Sequence, residues 1–319
     1  MKKILFIRIL FLGVILFIVI ILSNFSFRDK LKKTIWDIDV ELLNGLLKRI
    51  YMQQPLPEIP KSSLQATADA YSWIENSKFL SIAHRLGPTI SSGANTLKTF
   101  NKGREMGFKT FEVDIFLTQD NNLICYSGLP KKLIGKKSIN QIKYSDYKEM
   151  WLEDGKEICE LSDLVDLAKN NNNIKFIIDI KNYFEKIEDF KKIYQLIQTE
   201  ISDSLIAKSF IPQVYHFEQV EILRRKNYFA GEIFTSYKSA LTIKQIFNYA
   251  SFFNIKVVTI PIKNLYNFKG KIPENIIVLT HAVNDTSNLK KVYKLGVRGV
   301  YSSFLNPKLI RESINEKIK

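Results

Sequence analysis

The chain has 319 residues, of which 46% are hydrophobic and 25% are charged, and its formal net charge is +15 at pH 7. This composition is typical of a globular protein and excludes a disordered, collagen-like or coiled-coil chain. Residues 1–33 hold seven basic side chains and one acidic side chain. The rest of the excess positive charge is spread over residues 34–319. No basic run with interleaved aromatic residues follows, so we expect no nucleic-acid partner.

An uncharged segment, residues 9–27, lies near the N-terminus, and it is solidly apolar as far as Leu22 apart from one glycine. Nineteen helical residues reach roughly 28 Å, which is close to the hydrocarbon thickness of a bilayer. The sequence therefore predicts an uncleaved transmembrane helix within a membrane anchor at residues 1–33. A cleaved signal peptide is the alternative, although residues 23–27 offer a poor cleavage site.

Basic residues flank this segment on both sides, so the positive-inside rule gives nearly equal weight to the two orientations. We expect a single-pass cell-membrane protein whose folded domain lies outside the cytoplasm, because an N-terminal anchor of this kind resembles an export signal. Residues 34–78 are predicted to form a juxtamembrane segment and a semi-rigid linker that contains Pro55, Pro57 and Pro60.

The two cysteines, Cys125 and Cys159, are too few for a disulfide framework and lack the spacing of zinc ligands. A single bridge between them would require an oxidising compartment. We favour the alternative, in which both are small buried apolar residues.

Residues 79–319 show a regular alternation of apolar, strand-like runs and segments of helical period. The predicted strands are residues 79–83, 110–116, 174–180, 204–211, 228–234, 256–260, 276–279 and 299–301. Eight such units predict an α/β fold, a (β/α)8 TIM barrel preceded by the N-terminal transmembrane helix. A doubly wound sheet is the main alternative, but no glycine-rich turn follows the first strand.

Reactive groups of such a barrel lie at the C-terminal ends of its strands. The polar residues that the sequence places there are His84, Arg85, Glu112, Asp114, Asp179, Lys181 and His281. Glu112 and Asp114 are two residues apart in an extended segment, so both carboxylates point into the barrel. Buried carboxylates are costly unless they hold a cation, and their oxygens suit Mg²⁺ or Ca²⁺. With a histidine and two cations beside them, the set suits an anionic phosphate ester.

A series of motifs follows in order along residues 79–308. They are Ile82-Ala83-His84-Arg85, Asn95-Thr96-Leu97, Phe111-Glu112-Val113-Asp114-Ile115, Ile158-Cys159-Glu160-Leu161, Ile178-Asp179-Ile180-Lys181, Phe210-Ile211-Pro212-Gln213-Val214-Tyr215 and Gly299-Val300-Tyr301. Together they resemble the glycerophosphodiester phosphodiesterases, a family of the phosphatidylinositol-phosphodiesterase-like TIM-barrel superfamily. The resemblance implies that His84 is catalytic, that Arg85 grips phosphate and that Lys181 faces the phosphate. We also assign Gln213 to substrate binding.

The resemblance further implies a divalent metal ion, Mg²⁺ or Ca²⁺, as the cofactor. Its ligands are predicted to be Glu112, Asp114 and Asp179. The third ligand of the family is usually glutamate, and the aspartate found here is one methylene shorter but remains a competent oxygen ligand.

The chain departs from the family after the second strand. Members carry a His-Asp pair where this chain has Ser127 and Gly128. The missing histidine is the family's second proton-transfer residue, and a serine of ordinary acidity cannot replace it. Ala94 also replaces the acid of the family's Glu-Asn-Thr motif. His281 is a candidate for the lost proton-transfer role or else a wall residue, whereas His216 is expected to be a surface or packing residue.

The sequence therefore predicts a membrane-anchored, metal-dependent phosphodiesterase that hydrolyses a glycerophosphodiester or a related envelope or lipid phosphodiester. Its partners would be the membrane and a small-molecule, lipid or glycan phosphodiester. Formation of a cyclic phosphate instead of hydrolysis stays open. The alternative function is that of a catalytically impaired pseudoenzyme, which binds a phosphodiester without turnover because the second histidine is missing.

Overall fold

The structure is a computed structural model that describes residues 70–315 except 76, 89–92, 127, 129–140, 154–156, 183–186, 225–227, 238 and 240. The predicted membrane anchor, the linker prolines and Ser127 lie outside the described residues. Within the described part of the chain, no helix combines the length and the apolar character needed to cross a membrane.

The described residues contain nine β-strands in one sheet. They are β1 (Leu80–Ala83), β2 (Thr110–Leu117), β3 (Leu123–Cys125), β4 (Lys175–Ile180), β5 (Phe210–Val214), β6 (Ile233–Thr235), β7 (Val257–Thr259), β8 (Ile277–Thr280) and β9 (Gly299–Ser302). Eight of them are parallel, and the sheet closes because β1 pairs with both β2 and β9. The short β3 pairs antiparallel with the end of β2. The predicted eight-stranded parallel barrel is confirmed.

Helices connect the strands and cover the outside of the barrel, as in a TIM barrel. In the described residues they are Ser72–Glu75, Leu97–Glu105, Tyr144–Glu153, Leu161–Lys169, Ile187–Ile201, Ser204–Ala207, Phe217–Arg224, Ile243–Phe252, Ile262–Asn267, Thr286–Lys294 and Pro307–Asn315. Capping residues determine where several of these helices begin. Thr96, for example, forms a capping box with Thr99 and fixes the start of the helix that follows β1.

Two predicted strands begin too early. The strand predicted at residues 204–211 starts only at Phe210, because Asp203 caps the short helix Ser204–Ala207 through the backbone N–H groups of Leu205 and Ile206. The strand predicted at residues 228–234 is confined to Ile233–Thr235. Gly231 just before it has a φ of +84°, a left-handed conformation that extended strands do not contain.

Side chains of the strands alternate between two faces of the barrel wall. In β2, Glu112 and Asp114 face the interior, where they line a cavity. Phe111, Val113 and Ile115 point the other way into the outer core under the helices. The prediction that both carboxylates share the inner face is confirmed.

The N-terminal end of the barrel is closed by a group that we call the base cluster. Its members are Ala70, Tyr71, Ile74, Leu80, Ile82, Ile177, Ile211, Ala230, Ile233, Val257, Leu279 and Tyr301. A buried polar network adjoins it, in which the Tyr71 hydroxyl donates to Glu232 Oε1 at 2.7 Å. Arg224 forms an ion pair with Glu232 and donates through Nη1 to the Phe253 carbonyl at 2.7 Å. The helix Ser72–Glu75 is thereby fixed across the end of the barrel.

A disulfide joins Cys125 at the end of β3 to Cys159. The favoured prediction of two unbridged apolar cysteines is therefore wrong, although both side chains are buried. The physical reason is a strand contact that the spacing does not reveal. The backbone N–H of Cys125 donates to the Cys159 carbonyl at 2.7 Å, and Ile124 forms an isolated antiparallel bridge with Glu160.

Candidate active site

A cavity of about 330 Å³ opens at the C-terminal ends of the strands. It is lined by His84, Arg85, Glu112, Asp114, Asp179, Lys181, Gln213, Tyr215, Thr235, Tyr237, His281 and Tyr301. The structure thus brings together all the residues that the sequence assigned to catalysis, metal binding or substrate binding. His216 is exposed on the surface, as expected.

His84 and Arg85 lie in a tight 3₁₀ turn directly after β1. Arg85 has φ 56° and ψ 46°, a left-handed conformation that costs free energy in a residue other than glycine. The turn directs the Arg85 backbone N–H to Glu112 Oε2 at 2.8 Å. The guanidinium of the same residue donates through Nε to Asp114 Oδ2 at 3.1 Å. One strained residue therefore contacts both carboxylates of β2.

Asn95 fixes the orientation of Asp114. Its Nδ2 donates to Asp114 Oδ2 at 3.0 Å and to the Tyr126 carbonyl at 2.7 Å. Its Oδ1 accepts the backbone N–H of Asp114 at 3.2 Å. Asn95 lies in the Asn95-Thr96-Leu97 motif, and its role in orienting Asp114 could not be predicted from the sequence.

Lys181 and Tyr215 surround Asp179. The Lys181 ammonium bridges the two aspartates, with Nζ at 2.9 Å from Asp114 Oδ1 and a short hydrogen bond to Asp179 Oδ2. The Tyr215 hydroxyl lies 2.8 Å from Asp179 Oδ1 and 2.9 Å from Oδ2. Sequence reasoning missed Tyr215, although its spacing of two residues from Gln213 in and after β5 is the signal that could have found it.

Burial and charge act in opposite directions on the carboxylates. Burial raises the pKa of Glu112 well above its usual value, and Asp114 raises it further. Burial also raises the pKa of Asp179, against the opposing effect of Lys181. For Asp114, burial is outweighed by Lys181, Arg85 and Asn95, so its pKa falls below the usual value. Asp114 is the carboxylate most firmly held in its ionised form.

Both histidines of the cavity are neutral at pH 7. Burial lowers the pKa of His84 to about 4, with Asp114 opposing the shift and Arg85 adding to it. Burial, assisted by Lys181, lowers the pKa of His281 to about 4. The His281 ring packs between Tyr237 and Tyr301, at 5.8 Å from each ring centroid. A neutral imidazole can accept a proton, as a general base must.

The three carboxylates have the chemistry of a site for a hard divalent cation. Glu112, Asp114 and Asp179 are all buried, and each offers an oxygen within 4.8 Å of those of the other two. Mg²⁺ and Ca²⁺ prefer such oxygen ligands. Lys181 and Arg85 also contact these carboxylates. The residues present therefore fit the divalent metal ion that the sequence predicted as the cofactor.

The sequence profile of the glycerophosphoryl diester phosphodiesterase family matches residues 84–306. The chain belongs to this family, whose members are phosphoric diester hydrolases. A search of curated proteins found no match.

Solved structures of the family share the fold. A glycerophosphodiester phosphodiesterase from Parabacteroides distasonis is 18% identical with a TM-score of 0.62, covering 76% of this chain and 99% of that one. The enzyme from Thermotoga maritima is 19% identical with a TM-score of 0.53, covering 70% and 94%. A phosphodiesterase from Oleispira antarctica, in complex with the product sn-glycerol-3-phosphate, is 16% identical with a TM-score of 0.54, covering 77% and 99%.

Proposed function

We propose that this protein is a metal-dependent phosphodiesterase that hydrolyses a glycerophosphodiester or a related envelope or lipid phosphodiester. The observation that carries the proposal is the cavity in which neutral His84 and two fixed cations, Arg85 and Lys181, meet three buried carboxylates. The product bound to the Oleispira antarctica phosphodiesterase, sn-glycerol-3-phosphate, supports a glycerophosphodiester as the substrate class.

The charge of the cavity supports metal dependence. When all three carboxylates are ionised they outnumber the two cations, so an anionic diester would enter a site with an excess of negative charge. A divalent ion held by Glu112, Asp114 and Asp179 would reverse the sign of that charge. When bound, such an ion supplies Lewis-acid stabilisation of the phosphoryl oxygens.

The remaining steps, which are phosphate binding, proton removal and substrate binding, are carried out by side chains of the cavity. Arg85 and Lys181 bind the phosphoryl oxygens and stabilise the charge that accumulates on them. His84 is half-buried beside the carboxylates, and it removes a proton from water or from a neighbouring substrate hydroxyl as the general base. Gln213, whose Oε1 accepts a hydrogen bond from the Tyr301 hydroxyl at 2.9 Å, lines the cavity and contributes to substrate binding.

The full-length protein should be assayed with a panel of glycerophosphodiesters, with and without Mg²⁺ or Ca²⁺. We expect turnover that depends on the divalent ion. Saturable, metal-dependent binding of the diester without turnover would overturn the proposal and favour the binding-only alternative.

The variant Ser127→His tests whether a missing proton donor limits the reaction. We expect the rate to rise most for substrates with basic alkoxide leaving groups, because these need protonation as they depart. An aryl phosphodiester should gain little and serves as the matched control. If every substrate stays inert while metal still stabilises the protein, the site lacks more than one proton donor.

We further propose that residues 1–33 anchor the protein in the cell membrane and that the barrel lies outside the cytoplasm. The support is the uncharged segment at residues 9–27 together with the Cys125–Cys159 disulfide. Disulfides persist in oxidising compartments and are rare in the cytosol.

A further inference from the structure

We propose that Ser303 is a positioning residue for His84, and that its hydroxyl accepts a hydrogen bond from His84 Nδ1–H and leaves Nε2 free to accept a proton. The inference rests on the proposed role of His84 as the general base. Ser303 follows β9 directly, and its Oγ lies 3.4 Å from His84 Nδ1. Only 7% of Ser303 is exposed, so water competes little for this contact.

Among the residues that the structure describes, none forms a hydrogen bond with the other ring nitrogen, Nε2. His84 Nε2 lies 3.9 Å from Glu112 Oε2, which is too far for a hydrogen bond. The same Oε2 already accepts the Arg85 backbone N–H at 2.8 Å. Among the described residues, the carboxylate nearest to Nε2 is thus already engaged. A neutral imidazole carries a single N–H, and the hydrogen bond at one nitrogen decides which nitrogen bears it.

Asn284 holds Ser303 in place. Its Oδ1 accepts the Ser303 backbone N–H at 2.9 Å and the Ser302 hydroxyl at 3.2 Å. The Ser302 Oγ in turn accepts the Leu305 N–H at 3.0 Å, so a bonded turn follows the last strand. A base oriented by a third group on a rigid support is the arrangement that hydrolases with catalytic triads use for histidine.

The tautomer of His84 can be read from nitrogen chemical shifts in the full-length protein labelled with ¹⁵N-histidine. The chain has only three histidines, so the variants His216→Gln and His281→Phe assign all the signals. At a pH where the ring is neutral, we expect a protonated Nδ1 and an unprotonated Nε2 in the wild type. Ser303→Ala should shift the population toward the Nε2–H tautomer.

The kinetic consequence of Ser303→Ala should fall on kcat rather than on KM. If the competent tautomer drops to about a tenth of the population, kcat should fall about tenfold. Ser303→Thr keeps the hydroxyl and should restore both the tautomer and kcat. Ser302→Ala is the matched control. It removes hydrogen bonds from the same turn and should lower the melting temperature, but it keeps the Ser303 hydroxyl in contact with His84.

Three results would overturn the proposal. The first is an Nε2–H tautomer in the wild type, and the second is an unchanged tautomer in Ser303→Ala. An equal tautomer shift in Ser302→Ala would assign the effect to the turn and would also contradict a role of the Ser303 hydroxyl. The tautomer is measured without substrate, so this test gives its answer even if no diester is hydrolysed and the proposed function fails.

Discussion

The His281 side chain is held neutral by its surroundings, and this has a consequence for stability. Its pKa is lowered from 6.5 to about 4, so the native state binds fewer protons than the unfolded state between these values. The stabilisation is complete above about pH 6.5 and is lost as the pH falls toward about 4. We expect the melting temperature of the wild type to fall more steeply over this interval than that of His281→Phe.

The phenylalanine variant is suited to this comparison because it keeps an aromatic ring between Tyr237 and Tyr301. Thermal melts at half-unit steps from pH 7.5 to 4 would make the measurement. Parallel curves for the two proteins would show that the folded state does not hold His281 neutral.

The two carboxylates of β2 lead to a prediction about stabilisation of the protein by divalent metal ions. A divalent ion that binds only the native state raises the melting temperature by mass action. We expect millimolar Mg²⁺ or Ca²⁺ to raise the melting temperature of the wild type but not that of Glu112→Gln or Asp114→Asn. Asp146→Asn, a change at an exposed helix residue, is the matched control. The absence of any shift in the wild type would mean that the buried carboxylates are structural.

Sequence reasoning succeeded for the residues whose position follows from strand ends and alternation. Glu112, Asp114 and Asp179 could be placed inside the barrel because the period of a strand is two residues. Asn95 and Ser303 could not be given roles in this way. Their positions depend on the turn after β1 and on the turn after β9, whose backbone conformations are set by tertiary hydrogen bonds.

At the scale of the structural elements, the base of the barrel depends on a buried ion pair. Glu232 accepts from both Tyr71 and Arg224, and all three side chains are buried. Glu232→Gln would leave the Arg224 guanidinium without its carboxylate partner. We expect a loss of about 3–5 kcal/mol in the free energy of unfolding, as is usual when one partner of a buried pair is removed.

An exposed pair in the same region supplies the control. Lys256 Nζ lies 2.6 Å from Glu75 Oε1, and the two side chains are 39% and 40% exposed. Glu75→Gln should cost no more than about 1 kcal/mol, because solvent screens such pairs. Urea denaturation of both variants measures the loss in free energy of unfolding. Equal losses would contradict the conclusion that the buried Glu232–Arg224 pair stabilises the base of the barrel.

Element boundaries show where local patterns stop being informative. The eight barrel strands were predicted because each is an apolar run between polar segments. The helix Ser204–Ala207 was mistaken for strand because three of its four residues are apolar, and only the cap at Asp203 distinguishes it. The strand β3 was missed because three residues give too short a pattern. Its pairing with β2 also explains the disulfide that spacing alone did not predict.

At the scale of the whole molecule, we expect the full-length protein to sediment with membranes and to carry an oxidised Cys125–Cys159 pair. Fractionation of cells, followed by alkylation of free thiols before and after reduction, would check both expectations. Protease added from outside intact cells should reach the barrel, whereas a cytoplasmic protease should not. A soluble mature form that begins near residues 24–28 would contradict the anchor and support cleavage of a signal peptide.

Tyr301 contacts two regions of the barrel interior, the base cluster and the cavity. Its ring packs in the base cluster, and its hydroxyl lies 2.9 Å from Gln213 Oε1 at the cavity. Tyr301 is therefore a member of the base cluster that also lines the cavity. A substitution of Tyr71 or Ile211, which belong to the same cluster, changes the packing around the Tyr301 ring. We therefore expect a substitution in the base cluster to move Tyr301 and thereby to change the shape of the cavity.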